Sequence, residues 1–244
     1  MTCSQDCVMR VDQLLSQALP FSRKEVKLLL RQKRVLINGN ICKDASMHID
    51  ENDSVIIDDH IVEWPRDMYY MLNKPKGYCC SHHDDGAQSA LKLLPDTTKK
   101  LHFAGRLDAD TTGLVLISSN GQWCHRVTSP KQRNEKRKSK HYRVTLARPL
   151  NKEAKTMLEQ GVMLQGETTP TLPATIKQFD EKQCEIVLCE GRYHQVKRMF
   201  AAVGNHVETL HRNRIGNIIL DDKLAEGEYR ALTQDEIKAF SNDA

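Results

Sequence analysis

An Asn-Gly dipeptide, Asn38-Gly39, stands between the apolar runs Val35-Leu36-Ile37 and Ile41-Cys42, and it leaves the chain little choice there. A two-residue hairpin needs positive φ at both turn positions, which this dipeptide tolerates, so the spacing predicts a tight antiparallel pair. A second short pair, Ser54 to Ile57 and Ile61-Val62, brackets Asp58-Asp59-His60. Upstream, residues 10–19 show helical apolar spacing and stop near Pro20. Ser22-Arg23-Lys24-Glu25 reads as a capping box, with the Ser22 hydroxyl accepting from the first turn and Glu25 reaching back. The helix it opens carries Val26, Leu29 and Leu30 on one face. Its other face carries Arg23, Lys24, Lys27, Arg31, Lys33 and Arg34. A solvated helix surface and a surface for an anionic polymer both fit that basic face.

Trp64-Pro65-Arg66 reads as a boundary. The expected organisation is an N-terminal extension over 1–8, a small module over 9–62, a linker over 63–67 and a larger α+β domain over 68–244. Strands are expected at Tyr69 to Asn73, Leu114 to Ser118, Tyr142 to Leu146, Glu185 to Cys189 and Ile215 to Leu220. Capped helices are expected from Asn151 to Gln160, closed by Gly161, and from His194 to Val203, closed by Gly204; Thr233-Gln234-Asp235-Glu236 opens a last one. The long, uneven spacing between strands favours a mixed sheet over regular βαβ repeats.

No apolar run approaches the roughly 18 residues that span a bilayer. Met1 to Met9 is polar and lacks the apolar core of a secretory signal. The eight cysteines are irregularly spaced, with no Cys-x-x-Cys pair, and read as reduced and mostly buried in a cytosolic protein. Cys79-Cys80-Ser81-His82-His83 has metal-binding residue types, but four ligands so close in sequence cannot readily surround one zinc, so no metal is expected. The net charge of +4 says little by itself; its clustering says more. Lys131 to Arg143 holds seven Lys or Arg against one Glu, a segment expected to be a disordered loop that orders against an anionic polymer.

Three segments carry chemistry. In Phe103-Ala104-Gly105-Arg106-Leu107-Asp108-Ala109-Asp110-Thr111-Thr112-Gly113, a glycine-led loop delivers a carboxylate and then feeds the apolar run Leu114 to Ile117. Loops at the edge of a rigid sheet are where reactive groups tend to sit, although a turn aspartate is the competing reading. Asp108 and Asp110 are two apart in an irregular loop and need not point together, so only Asp108 is taken as chemical. Glu190-Gly191-Arg192-Tyr193-His194-Gln195-Val196-Lys197-Arg198 crowds cations at a helix start, which the helix dipole opposes unless an anion sits there. Lys140-His141-Tyr142-Arg143-Val144 sets an aromatic in a basic strand, where base stacking and sheet packing are both credible.

Taken together these segments resemble known families. Arg10-x-Asp12-x-x-Leu15, Ser22-Arg23 and Val35 to Gly39 resemble the small RNA-binding domain named after ribosomal protein S4. Met71-Leu72-Asn73-Lys74-Pro75-Lys76-Gly77-Tyr78, Gly105 to Asp108, Lys140-x-Tyr142, and Glu190 to Phe200 followed by His211-Arg212-x-Arg214-Ile215-Gly216 resemble the RsuA family of pseudouridine synthases, which modify ribosomal RNA. The match starts after residue 8, and Met9 is an alternative initiator. The fold implied is an S4-like domain followed by a synthase domain on a mixed, mostly antiparallel sheet with flanking helices.

By that resemblance Asp108 is the catalytic aspartate and Tyr142 the active-site tyrosine. Lys197 falls where the wider superfamily pairs an arginine with the aspartate, and Arg198 beside it is the other candidate partner. Val196 falls where an apolar residue packs beneath the tyrosine. Arg106 is the residue that fills the gap left by a flipped base, and Arg192 and Arg198 are expected to bind substrate. Arg10, Arg23, Lys24, Lys27, Arg31, Arg34, Lys74, Lys136, Arg137, Lys138 and Lys140 are expected to meet RNA, with phosphate contacts giving affinity and register. The implied reaction isomerises a uridine of 16S rRNA, uridine 516, in a partly assembled small subunit. It needs no cofactor, and no nucleotide-phosphate loop motif appears. The chain is expected to act as a cytoplasmic monomer. The same reaction on 23S rRNA, or a noncatalytic assembly factor, are the alternatives.

Overall fold

The computed structural model describes residues 8–84, 86–95, 100–129 and 138–240, and the chain divides into two compact units between Asp67 and Met68. In the first unit helices α1 (Val11–Ala18) and α2 (Arg23–Arg31) pack with a four-stranded antiparallel sheet. Its strands are β1 (Val35–Ile37), β2 (Asn40–Ile41), β3 (Val55–Ile57) and β4 (His60–Ile61), in the order β2-β1-β3-β4. Both hairpins have two-residue turns: Asn38 and Gly39 at φ 49° and 80°, and Asp58 and Asp59 at φ 49° and 68°. His60 therefore belongs to the strand rather than the turn. The Ser22–Glu25 capping box is present. Val11, Leu14, Leu15, Val26, Leu29 and Leu30 close a core over the buried side of the sheet.

The second unit is built on a nine-stranded sheet. Its main path comprises β5 (Tyr69–Lys74), β6 (Thr112–Ser118), β7 (Lys140–Leu146), β8 (Thr175–Gln178), β9 (Gln183–Leu188), β10 (Val207–Ile215) and β12 (Tyr229–Ala231). The spatial order is β8-β9-β7-β10-β6-β5-β12; the short β11 (Ile218–Ile219) hangs on β10 and His102–Phe103 pairs with β6. Among the described residues only β6 and β10 run parallel within this sheet; the remaining pairs are antiparallel. The expected mixed, mostly antiparallel sheet is what forms. Helices α3 (Gly121–Thr128), α4 (Lys152–Gln160), α5 (Gln195–Ala202) and α6 (Gln234–Lys238) accompany it.

Two expectations change. Ile215 to Leu220 is not one strand: β10 ends at Ile215, the chain turns at Gly216, and Ile218–Ile219 returns against it. The long strand lies upstream, in VETLHRNRI, whose polar letters hide it although it sits centrally between β7 and β6. Helix α3, capped by Asn120, was not anticipated, because its eight residues mix Gly, His, Arg and Thr. Among the described cysteines, Cys42, Cys80, Cys124 and Cys184 are buried free thiols, and burial pushes Cys184 up to about 11. Cys79 and His82 are spent on backbone carbonyls, those of Ala87 and Leu101 at 3.4 and 2.8 Å. No described helix is long and apolar enough to cross a membrane.

Candidate active site

The loop between His102–Phe103 and β6 carries Asp108 to one end of the sheet. The Thr111 amide donates to the Asp108 carbonyl (3.1 Å), closing a turn around the carboxylate. Beyond it, Gly113 at φ 103° lies opposite Arg212 of β10; a Cβ there would stand 2.3 Å from the Arg212 carbonyl oxygen, so only glycine allows the parallel pairing.

Helix α5 brings the cation. The Lys197 ammonium donates to Asp108 Oδ2 at 3.1 Å and to Asp110 Oδ1 at 2.5 Å. Burial works against the Lys197 charge, but the bonds to Asp110 and Asp108 outweigh it and hold its pKa above the ordinary lysine value. Lys197 in turn holds Asp110 below the usual carboxylate range. The two aspartates therefore do converge, on one ammonium, contrary to the expectation from their spacing. Asp108 keeps 28% of its side chain exposed, so the carboxylate is both anchored and reachable.

A third group was missed. His194 Nε2 lies 3.3 Å from the other carboxylate oxygen, Asp108 Oδ1. His194 caps α5 in the left-handed region (φ 47°, ψ 35°), uncommon for a residue with a Cβ, and its ring stacks on Tyr193 at 3.8 Å. Backbone strain of this kind collects where the surroundings fix a side chain for a task. The histidine is legible as a letter; its conformation and its aim are not.

A pocket of about 430 Å³, open on one side, surrounds this group. Arg106, Asp108, Tyr142, His194, Val196 and Lys197 are among its lining residues. Tyr142 is 9% exposed and shares a core cluster with Val196. Arg106 is exposed beside the buried Leu107.

The other expected residues divide. Arg192 lines the pocket, but its guanidinium is engaged by Glu167, by Glu190 (3.2 Å) and by the carbonyls of Thr169 (2.9 Å) and Pro170 (2.6 Å). Arg198 does not reach Asp108; it donates to Glu167 (2.6 Å) and to the carbonyls of Tyr193 and Gln165. The partner of Asp108 is therefore Lys197. Lys74, expected to meet RNA, is fully buried and donates to the carbonyls of Pro75, Tyr78 and Ala109, which takes it out of reach of any phosphate. Lys140 is half-buried, 3.4 Å from the Glu190 carbonyl, with its pKa lowered by burial and by Arg212. Lys138 donates to the Arg126 carbonyl (2.6 Å) and lies over the Phe240 ring. Lys136 and Arg137 lie outside the described residues.

In the first unit Arg23, Lys24, Lys27 and Arg31 are exposed on α2, on the side away from its core. Arg34 is held by Asp58, whose carboxylate takes both Nε and a terminal nitrogen, and Arg10 pairs with Asp12 at 2.8 Å.

Residues 68–202 match the family model of RNA pseudouridylate synthases, and residues 9–55 match the S4 domain. The chain is 45% identical to the ribosomal small subunit pseudouridine synthase A of Haemophilus influenzae, over 94% of this chain and 98% of that one. It is 48% identical to the protein of the same name from Yersinia pestis, over 94% and 97%. A solved pseudouridylate synthase superimposes with a TM-score of 0.67 at 43% identity, covering 96% of this chain and all of the other.

Proposed function

The chain belongs to the RNA pseudouridylate synthase family, and from that premise we propose that it isomerises one uridine of 16S rRNA, uridine 516, to pseudouridine. The observation that carries this reading is the Asp108 carboxylate, reachable from solvent, held between Lys197 and His194 in a pocket walled by Tyr142. The reaction breaks the C1′–N1 bond, turns the detached uracil and joins C1′ to C5; N1 gains a proton as C5 loses one. The product is an isomer, so no outside atom or electron enters.

Asp108 is the catalytic residue, acting as nucleophile or base through one ionised carboxylate. Lys197 anchors that carboxylate by its hydrogen bond inside a partly enclosed pocket. Tyr142 and Val196 form the wall on which the base rests. The base must leave its stack to arrive there, at a cost of a few kcal/mol, and the exposed Arg106 occupies the space it vacates. Arg23, Lys24, Lys27 and Arg31 take phosphates, the role for which an S4 domain with an exposed basic helix is suited. The substrate is the rRNA within a partly assembled small subunit, met in the cytoplasm by a single copy of the chain.

The test is pseudouridine mapping of small-subunit rRNA after incubation of partly assembled particles with wild type and with Asp108→Asn. Wild type is expected to modify one position of 16S rRNA and Asp108→Asn none, while the variant still binds the particle. Modification confined to 23S rRNA would reject the substrate, and normal turnover by Asp108→Asn would reject the site.

A further inference from the structure

Arg212 sits at the middle of β10, flanked by Gly113 of β6 on one side and Tyr142 of β7 on the other. It is 1% exposed, and its guanidinium has no carboxylate partner among the described residues. Burying an uncompensated charge is among the more expensive things a core does, so the positions of its donors matter. Nε donates to the Leu114 carbonyl at 2.9 Å and Nη1 to the Arg106 carbonyl at 3.3 Å, while Nη2 is buried without a partner. These two carbonyls lie on either side of Asp108, one before the loop's turn and one after it. A single planar fork thus closes the loop from Leu107 to Gly113 at its base. Next door, the Thr112 hydroxyl and His211 Nδ1 are 2.8 Å apart, which ties the same edge to β10.

We propose that Arg212 is the positioning residue for Asp108: its guanidinium bridges the two ends of the catalytic loop and fixes the carboxylate against Lys197 and His194. This rests on the catalytic reading of Asp108 and extends it to a residue that does not touch substrate. The geometry of the fork is what counts. A lysine at this position keeps the charge but cannot donate in one plane to carbonyls on two segments.

The experiment compares wild type, Arg212→Lys and Arg212→Met by steady-state turnover of small-subunit rRNA and by hydrogen–deuterium exchange of peptides covering 105–112. In Arg212→Lys, kcat is expected to fall about tenfold or more, the effect of a slightly misplaced reacting group. KM is expected to stay within about threefold, because binding surfaces are untouched. Amides of 105–112 should exchange faster while those of β5 and β9 keep their protection. Arg212→Met fills the space without a charge and should show the same pattern. Wild-type kcat in Arg212→Lys overturns the proposal, as does a loss of protection spread evenly over the sheet. If neither variant folds, Arg212 belongs to stability alone and the proposal likewise fails. Should the wild type prove inactive on rRNA, the functional reading falls, but the exchange pattern still decides whether Arg212 holds the loop.

Discussion

Lys197 serves two carboxylates at once, and that arrangement sets its sensitivity to substitution. Removing the ammonium leaves Asp108 and Asp110 as neighbouring like charges, with His194 still beside Asp108. Lys197→Met is therefore expected to lower kcat about 100-fold or more, comparable with deleting a key electrostatic donor in other enzymes. Lys197→Arg keeps the charge and adds a fork able to meet both aspartates, so its kcat should stay within about tenfold of wild type. Turnover of the two variants at saturating rRNA checks this; equal losses would mean that geometry at Lys197 matters more than its charge. The crowding of Arg192, Lys197 and Arg198 at the start of α5 also finds its explanation in individual residues. Glu167 takes the two arginines and the aspartates take the lysine, so each cation near the helix start is paired with an anion.

The pairing of β6 with β10 is where the elements meet the chemistry. It is the one parallel junction of the sheet among the described residues, it needs Gly113, and it is supported by the contact of Thr112 with His211. Burial lowers the His211 pKa below its ordinary value of 6.5. The folded state thus resists protonation there while the unfolded chain accepts a proton more readily. The sign follows: this contribution to stability is complete above about pH 6.5 and is withdrawn as the pH falls through the folded pKa. Thermal melts between pH 7.5 and about pH 5 should show a falling Tm, and His211→Asn, whose side-chain amide stands where Nδ1 does, should reduce that fall. An identical pH dependence in the variant would remove His211 from the cause.

At the scale of the molecule, the proposed function assigns affinity to the first unit and chemistry to the second. The exposed cations of α2 belong to the first unit and the Asp108 pocket to the second. Neutralising Arg23, Lys24, Lys27 and Arg31 together should flatten the log–log dependence of rRNA binding on salt by about three units. The rate at saturating substrate should be unchanged. An unaltered slope would make that face a solvated surface, as its composition alone allows.

Much of this was legible in the letters. Asn38-Gly39, the Ser22–Glu25 box and the Asn151 and Thr233 caps act over two to four residues, so local chemistry settled them. The resemblance pointed to Asp108 and Tyr142, which line one pocket. The rest depended on residues far apart in the chain. VETLHRNRI is a central strand only because the neighbouring strands satisfy its backbone and bury Arg212, which no alternation of apolar letters announces. Lys74 and Lys138 look like RNA contacts until their carbonyl acceptors are in place. That Lys197 rather than Arg198 meets Asp108, and that His194 joins them, was decided by the entry of α5 through a left-handed residue. One residue along a helix turns a side chain by about 100°, and only the packed structure fixes where that turn begins.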